Sequence, residues 1–101
     1  MRNSKQVIEK DTVIVASKEQ ISSEVGGESV ILNLQSGVYF GLNSVGLCVW
    51  NLIDQPTTFA DIGNALLEKY DVKLEQCNHD LRNLLEELHN QGLIEIMTNP
   101  V

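Results

Sequence analysis

Residues 30–43, VILNLQSGVYFGLN, place two alternating apolar runs on either side of Gln35-Ser36-Gly37 and hold no charged residue. Alternation is the period of a half-buried strand, and a three-residue loop with glycine at its left-handed position joins two such strands into an antiparallel hairpin. With that loop Leu34 faces Val38, Leu32 faces Phe40 and Val30 faces Leu42, all six on one buried face. Ile31, Asn33, Tyr39 and Gly41 then share the other face, which is half polar.

The flanking sequence supplies what the hairpin packs against. TVIVA, residues 12–16, reads as a short strand, and SKEQISSEVGGES, residues 17–29, as a connection that turns at Gly26-Gly27. Asn43 or Ser44 caps a helix with Val45, Cys48, Val49, Leu52 and Ile53 at helical spacing, ended by Asp54-Gln55-Pro56. Thr57 or Thr58 caps a second helix, FADIGNALLEKY, with Phe59, Ile62, Leu66 and Leu67 on one side. A third helix, residues 75–91, carries the stripe Leu74, Cys77, Leu81, Leu84, Leu85 and Leu88 and stops at Gly92. LIEIM, residues 93–97, alternates as a final strand. Residues 1–11 read as a flexible lead, 12–97 as the folded domain and 98–101 as a tail. A small sheet against three helices is an α+β domain, and its last two helices followed by a strand form a winged helix-turn-helix pattern.

Little in this chain can do chemistry. At 101 residues it is one domain, and its 43% apolar content is mostly aliphatic. No stretch is long and apolar enough to cross a membrane, and the charged start lacks the core of a signal peptide, so a cytoplasmic protein is expected. Cys48 and Cys77 both fall in apolar patterns and read as reduced, buried residues. Cys77 and His79 are two apart on one helix and diverge around it, so no metal site is expected. The carboxylates of the third helix fit a solvated face, and no glycine-rich phosphate loop is present. An enzyme is not expected, nor any cofactor.

Charge also weighs against nucleic acid. Fourteen acidic residues against seven basic give a net charge of −7. On the third helix Glu75, Asp80, Glu86 and Glu87 face a lone Arg82, the reverse of a phosphate-binding footprint. An acidic winged-helix regulator or interaction module stands as the alternative function. The uncharged strand Val38–Leu42 points elsewhere. As an edge it would offer unpaired main-chain groups to an extended peptide; patterning leaves open whether it is an edge or is covered.

The ordered set SVILNLQSGVYFGLNSVGLCVWNLI, TTFADIGNALLEKYDV and DLRNLLEELHNQGLIEI resembles the PqqD-like family, over residues 12–97. Its members include the leader-recognition domains, or RiPP recognition elements, of ribosomally made and modified peptides, and the free-standing ones of lasso-peptide biosynthesis look most similar. The resemblance implies a three-stranded antiparallel sheet on a three-helix bundle. It implies a non-catalytic adaptor that binds a precursor's leader peptide by strand addition and delivers it to a leader protease and an ATP-dependent cyclase. Carried onto this chain, the receiving strand is Val38, Tyr39, Phe40, Gly41 and Leu42. Cys77, Asp80, Leu81 and Leu84 would form the facing groove wall, with Asp80 placed to meet a basic leader side chain.

Overall fold

The computed structural model describes residues 8–26 and 28–97. In chain order the elements are β1 (Val13–Ala16), β2 (Gln20–Val25), β3 (Glu28–Asn33), β4 (Tyr39–Leu42), α1 (Ser44–Leu52), β5 (Thr57–Thr58), α2 (Phe59–Lys69), α3 (Leu74–Asn90) and β6 (Ile94–Met97). The α+β class holds. Instead of one three-stranded sheet there are two, both antiparallel, ordered β5-β1-β6 and β2-β3-β4.

Two strands are extra: the two-residue β5, at the expected helix cap, and β2, from the segment read as a connection. Its polar sequence gives little strand signal, and pairing with β3 along its whole length, Gln20 opposite Asn33 through Val25 opposite Glu28, supplies what local preference does not. The TVIVA strand, in turn, leaves the hairpin and joins β6, with Ile14 opposite Ile96 and Ala16 opposite Ile94.

The hairpin forms one residue out of the expected register. Leu32 lies opposite Tyr39, Ile31 opposite Phe40 and Val30 opposite Gly41. Asn33 is the cause. Its side-chain Oδ1 accepts from the N–H groups of Gln35 (2.8 Å) and Ser36 (3.1 Å), so the turn begins at Asn33 and the loop has four residues. Gly37 takes the left-handed position, at φ 74°. A one-residue slip exchanges the faces of one strand. Ile31 and Asn33 therefore point inward, while Leu34 and Val38 are exposed; Phe40 and Leu42 keep the inward face and Tyr39 and Gly41 the outward one.

The caps follow the sequence. Asn43 Oδ1 accepts from Gly46 N–H (2.8 Å) and Thr58 Oγ1 from Asp61 N–H (3.1 Å). Gly92, at φ 73°, ends α3, and a Cβ there would lie 3.0 Å from Asn33 Nδ2, which donates to Gln91 C=O (2.6 Å). The core is built from Ile14, Ile31, Val49, Ile53, Ile62, Leu85, Leu88 and Leu93. Trp50, expected on a flank, is buried, and its Nε1–H donates to Ser22 Oγ (2.8 Å). Leu74, expected on the α3 stripe, is exposed.

Residues 8–11, expected to be flexible, are held against the helices. Ile8 is buried, its carbonyl accepts from Arg82 Nη2 (3.2 Å), and Ala60 N–H donates to Lys10 C=O (3.0 Å). The Arg82 guanidinium also lies 4.9 Å over the Phe59 ring. Residues 1–7 and the 98–101 tail lie outside the described residues, as does Gly27 of the expected Gly-Gly turn.

Candidate functional site

The register decides which main-chain groups of β4 face outward. Asn33 N–H donates to Val38 C=O (3.0 Å), making these residues a hydrogen-bonded pair. Bonded and non-bonded pairs alternate along an antiparallel ladder. Phe40 and Leu42 therefore direct their N–H and C=O toward β3, and Tyr39 and Gly41 direct theirs away. Among the described residues nothing pairs with that outward row.

The sheet's other outer strand, β2, is less open to a guest. Glu24 places a charge on it, and Ser22 is tied to Trp50. Val38 and β4 carry neither charge nor proline, the usual protections of an exposed edge.

Beyond the end of β4 lies a cavity of about 340 Å³. Cys77, Asp80, Leu81 and Leu84 of α3 line it, so the structure brings together all four helix residues singled out in the sequence. It does not set them directly against β4, which contributes no lining residue. The first turns of α1 intervene, and Asn43, Val45, Gly46 and Val49 form that wall. This close seating depends on Gly46, where a Cβ would come within 3.2 Å of Leu42 Cδ2 and Asn43 Oδ1. Strand edge and cavity are thus neighbours joined at Leu42-Asn43.

The third wall, Leu66, Tyr70 and Val72 at the end of α2, escaped the sequence reading, as did Val45 and Val49. Apolar spacing marks Val45, Val49 and Leu66 as helix-face residues but not as neighbours; they meet only because of how the three helices cross. The cavity floor is shared with the core, since Cys77, Leu81, Val49 and Leu66 are all buried. Leu84 is half-buried and Asp80 exposed, its Oδ1 accepting from Gln76 Nε2 (3.0 Å). Among the described residues Asp80 is the one charged residue of the lining.

Burial, and secondarily the negative charge of Asp80, raises the Cys77 thiol above its ordinary pKa. A neutral thiol is a poor nucleophile and a poor metal ligand. Among the described residues no three His, Cys, Asp or Glu side chains gather to hold a metal, and no helix is long and apolar enough to cross a membrane. The arrangement is suited to holding an apolar side chain beside an open strand edge.

None of the curated proteins matches the chain. Two solved structures are similar. One, described as "TbiB1 in Complex with the TbiA(beta) Leader Peptide", has 33% identity and a TM-score of 0.74, covering 84% of this chain and 99% of that one. The other, "Lasso peptide synthetase B1 complexed with the leader peptide", has 25% identity and a TM-score of 0.68, covering 81% of this chain and 96% of that one. The family described as "Coenzyme PQQ synthesis protein D (PqqD)" matches residues 28–94, a span that holds β3, β4, β5, all three helices and the start of β6. By that match, over most of its length, the chain belongs to the PqqD family.

Proposed function

We propose that this protein is a leader-peptide-binding adaptor, a RiPP recognition element of the lasso-peptide type. The observation that carries the reading is the uncharged outward row of Tyr39 and Gly41, open beside an apolar cavity with a single carboxylate. An extended leader segment adds to β4 as a further strand. Its main chain bonds to Tyr39 and Gly41, and the residue opposite Phe40 points to the helix side of the sheet. Val38 and Leu42 bound this receiving stretch. A large apolar leader side chain enters the cavity over Cys77, Leu81 and Leu84, and Asp80 pairs with a Lys or Arg next to it.

The two similar structures are complexes with leader peptides, which supports this use of the fold. In this reading α2, α3 and β6 retain a winged helix-turn-helix plan, here applied to a peptide. The acidic residues of α3 disfavour the alternative of a DNA-binding regulator. The adaptor is non-catalytic and cytoplasmic. It hands the held precursor to a leader protease and an ATP-dependent cyclase, whose reactions it speeds by raising local substrate concentration.

Fluorescence anisotropy with a labelled leader peptide tests the reading. Gly41→Pro removes an outward N–H while leaving every bond to β3 in place, and proline is tolerated on an edge. Binding should weaken by about tenfold or more, with an unchanged circular dichroism spectrum. Leu84→Glu, which puts a charge in the cavity wall, should weaken binding similarly in a folded protein. Undiminished binding by both variants, or binding of duplex DNA in place of peptide, would overturn the proposal.

A further inference from the structure

Gly41 is a glycine that the fold itself does not require. Its φ is not positive, unlike those of Gly37 and Gly92, and a Cβ built on it meets nothing within 4 Å, unlike one on Gly46. A glycine inside a strand weakens that strand and commonly marks a place where something else approaches. Here the vacant space lies on the outer face of the β2-β3-β4 sheet, next to its open edge.

The register defines what surrounds that space. Val30 lies directly opposite Gly41 on β3 and is half-buried. On the same face Leu32 and Tyr39 form the next cross-strand pair, with Ile21 opposite Leu32 on β2. Tyr39 is 65% exposed and Ile21 52% exposed, so an apolar row crosses three strands and runs out at the edge. Between Tyr39 and the end of β4, the missing side chain of Gly41 leaves a notch with Val30 as its inner wall.

We infer that Gly41 is a specificity-determining position: its notch takes a bulky apolar side chain, aromatic or branched, from the guest residue paired opposite it. This rests on the strand-addition reading. For a guest running antiparallel to β4, Gly41, which turns both main-chain groups outward, forms a hydrogen-bonded pair with that guest residue, whose side chain then emerges on the outer face. Laid across the glycine, the side chain reaches Val30 and flanks Tyr39, as large residues do when they cover a glycine on a neighbouring strand. The cavity and the notch thus read the guest from opposite faces, at positions of opposite parity.

The TbiA(β) leader peptide, labelled with fluorescein, and its single-alanine series provide the probes. Gly41→Val keeps the outward N–H and C=O and fills the notch with a good strand former, so its melting temperature should not fall. Its affinity for the unaltered peptide should drop about tenfold. The loss should vanish for the one alanine variant whose truncated residue lay over the notch, and Gly41→Ala should fall between wild type and Gly41→Val. Equal binding by wild type and Gly41→Val, with Gly41→Pro still impaired, would overturn the notch and leave strand addition standing. Undiminished binding by Gly41→Pro would remove strand addition, and the notch with it.

Discussion

The two three-stranded sheets differ in how firmly the rest of the molecule holds them. In β5-β1-β6, Ile14 has no exposed surface and Ile94 is buried. Backbone bonds fasten its surroundings to the helices: Ala16 N–H to Ile53 C=O (2.9 Å), Ser17 N–H to Leu93 C=O (2.8 Å) and Phe59 N–H to Thr12 C=O (2.9 Å). The β2-β3-β4 sheet buries Ile31 completely but turns Ile21 and Tyr39 to solvent, as the hairpin's turn does Leu34 and Val38. One sheet is scaffold; the other rests on the helices by one face and keeps an edge and a face unused. In the strand-addition reading, the guest docks on the sheet whose edge and outer face the rest of the fold leaves free.

The widest gap between the sheets should appear on truncating one side chain in each. Ile14→Ala leaves a cavity among closely packed neighbours and should cost about 2–5 kcal/mol of unfolding free energy in urea denaturation. Tyr39→Ala should stay within about 0.5 kcal/mol, because an exposed ring loses little on truncation. Similar losses from both would erase the distinction between a firmly and a loosely held sheet.

Asn33 links the two regions. Its Nδ2 donates to Gln91 C=O just ahead of β6, while its Oδ1 holds the hairpin turn through Gln35 and Ser36. Asn33→Ala should cost about 2–3 kcal/mol, from lost hydrogen bonds and buried groups left without partners. It should also release the register, seen as faster amide exchange at Phe40 and Leu42 while β1 stays protected. Loss of protection in both sheets together would show that they unfold as one unit.

The dual role of Asn33 explains where sequence reasoning succeeded and where it stopped. Gly37, Asn43, Thr58 and Gly92 were legible because turns and caps are decided within a few residues. The hairpin was legible too, but its register depended on a side chain that bonds to its own turn and to Gln91, far away in sequence. β2 was hidden for a related reason: Gln20, Ser22, Ser23 and Glu24 have no strong preference, and β3 recruits them. On β4, Tyr39 and Gly41 kept their expected face, but patterning left open whether the strand was an edge, which followed only from β1 pairing with β6 in a separate sheet. Of the cavity, the α3 wall came only through the family resemblance; a leucine stripe shows one helix's inner side but not which residues of α1 and α2 will meet it.

The finest test concerns Cys77, which stands where the cavity floor meets the core. Burial first, and Asp80 second, hold its thiol above the ordinary pKa, and its Sγ–H points to Gly63 C=O at 4.0 Å. In the unfolded chain the thiol loses its proton in the ordinary thiol range, while the folded protein keeps it to higher pH. The unfolded state then binds fewer protons, so this contribution to stability is complete below the ordinary thiol range and is lost as pH rises through it toward the folded value. Cys77→Ser is close in size and does not titrate there, so other ionising groups cancel in the comparison. Between pH 7 and pH 10 the thermal midpoint of the wild type should fall further than that of Cys77→Ser, by the smallest margin of these tests. Equal falls would mean that water reaches the thiol, and that the cavity floor belongs to the open, working side of the molecule and not to its scaffold.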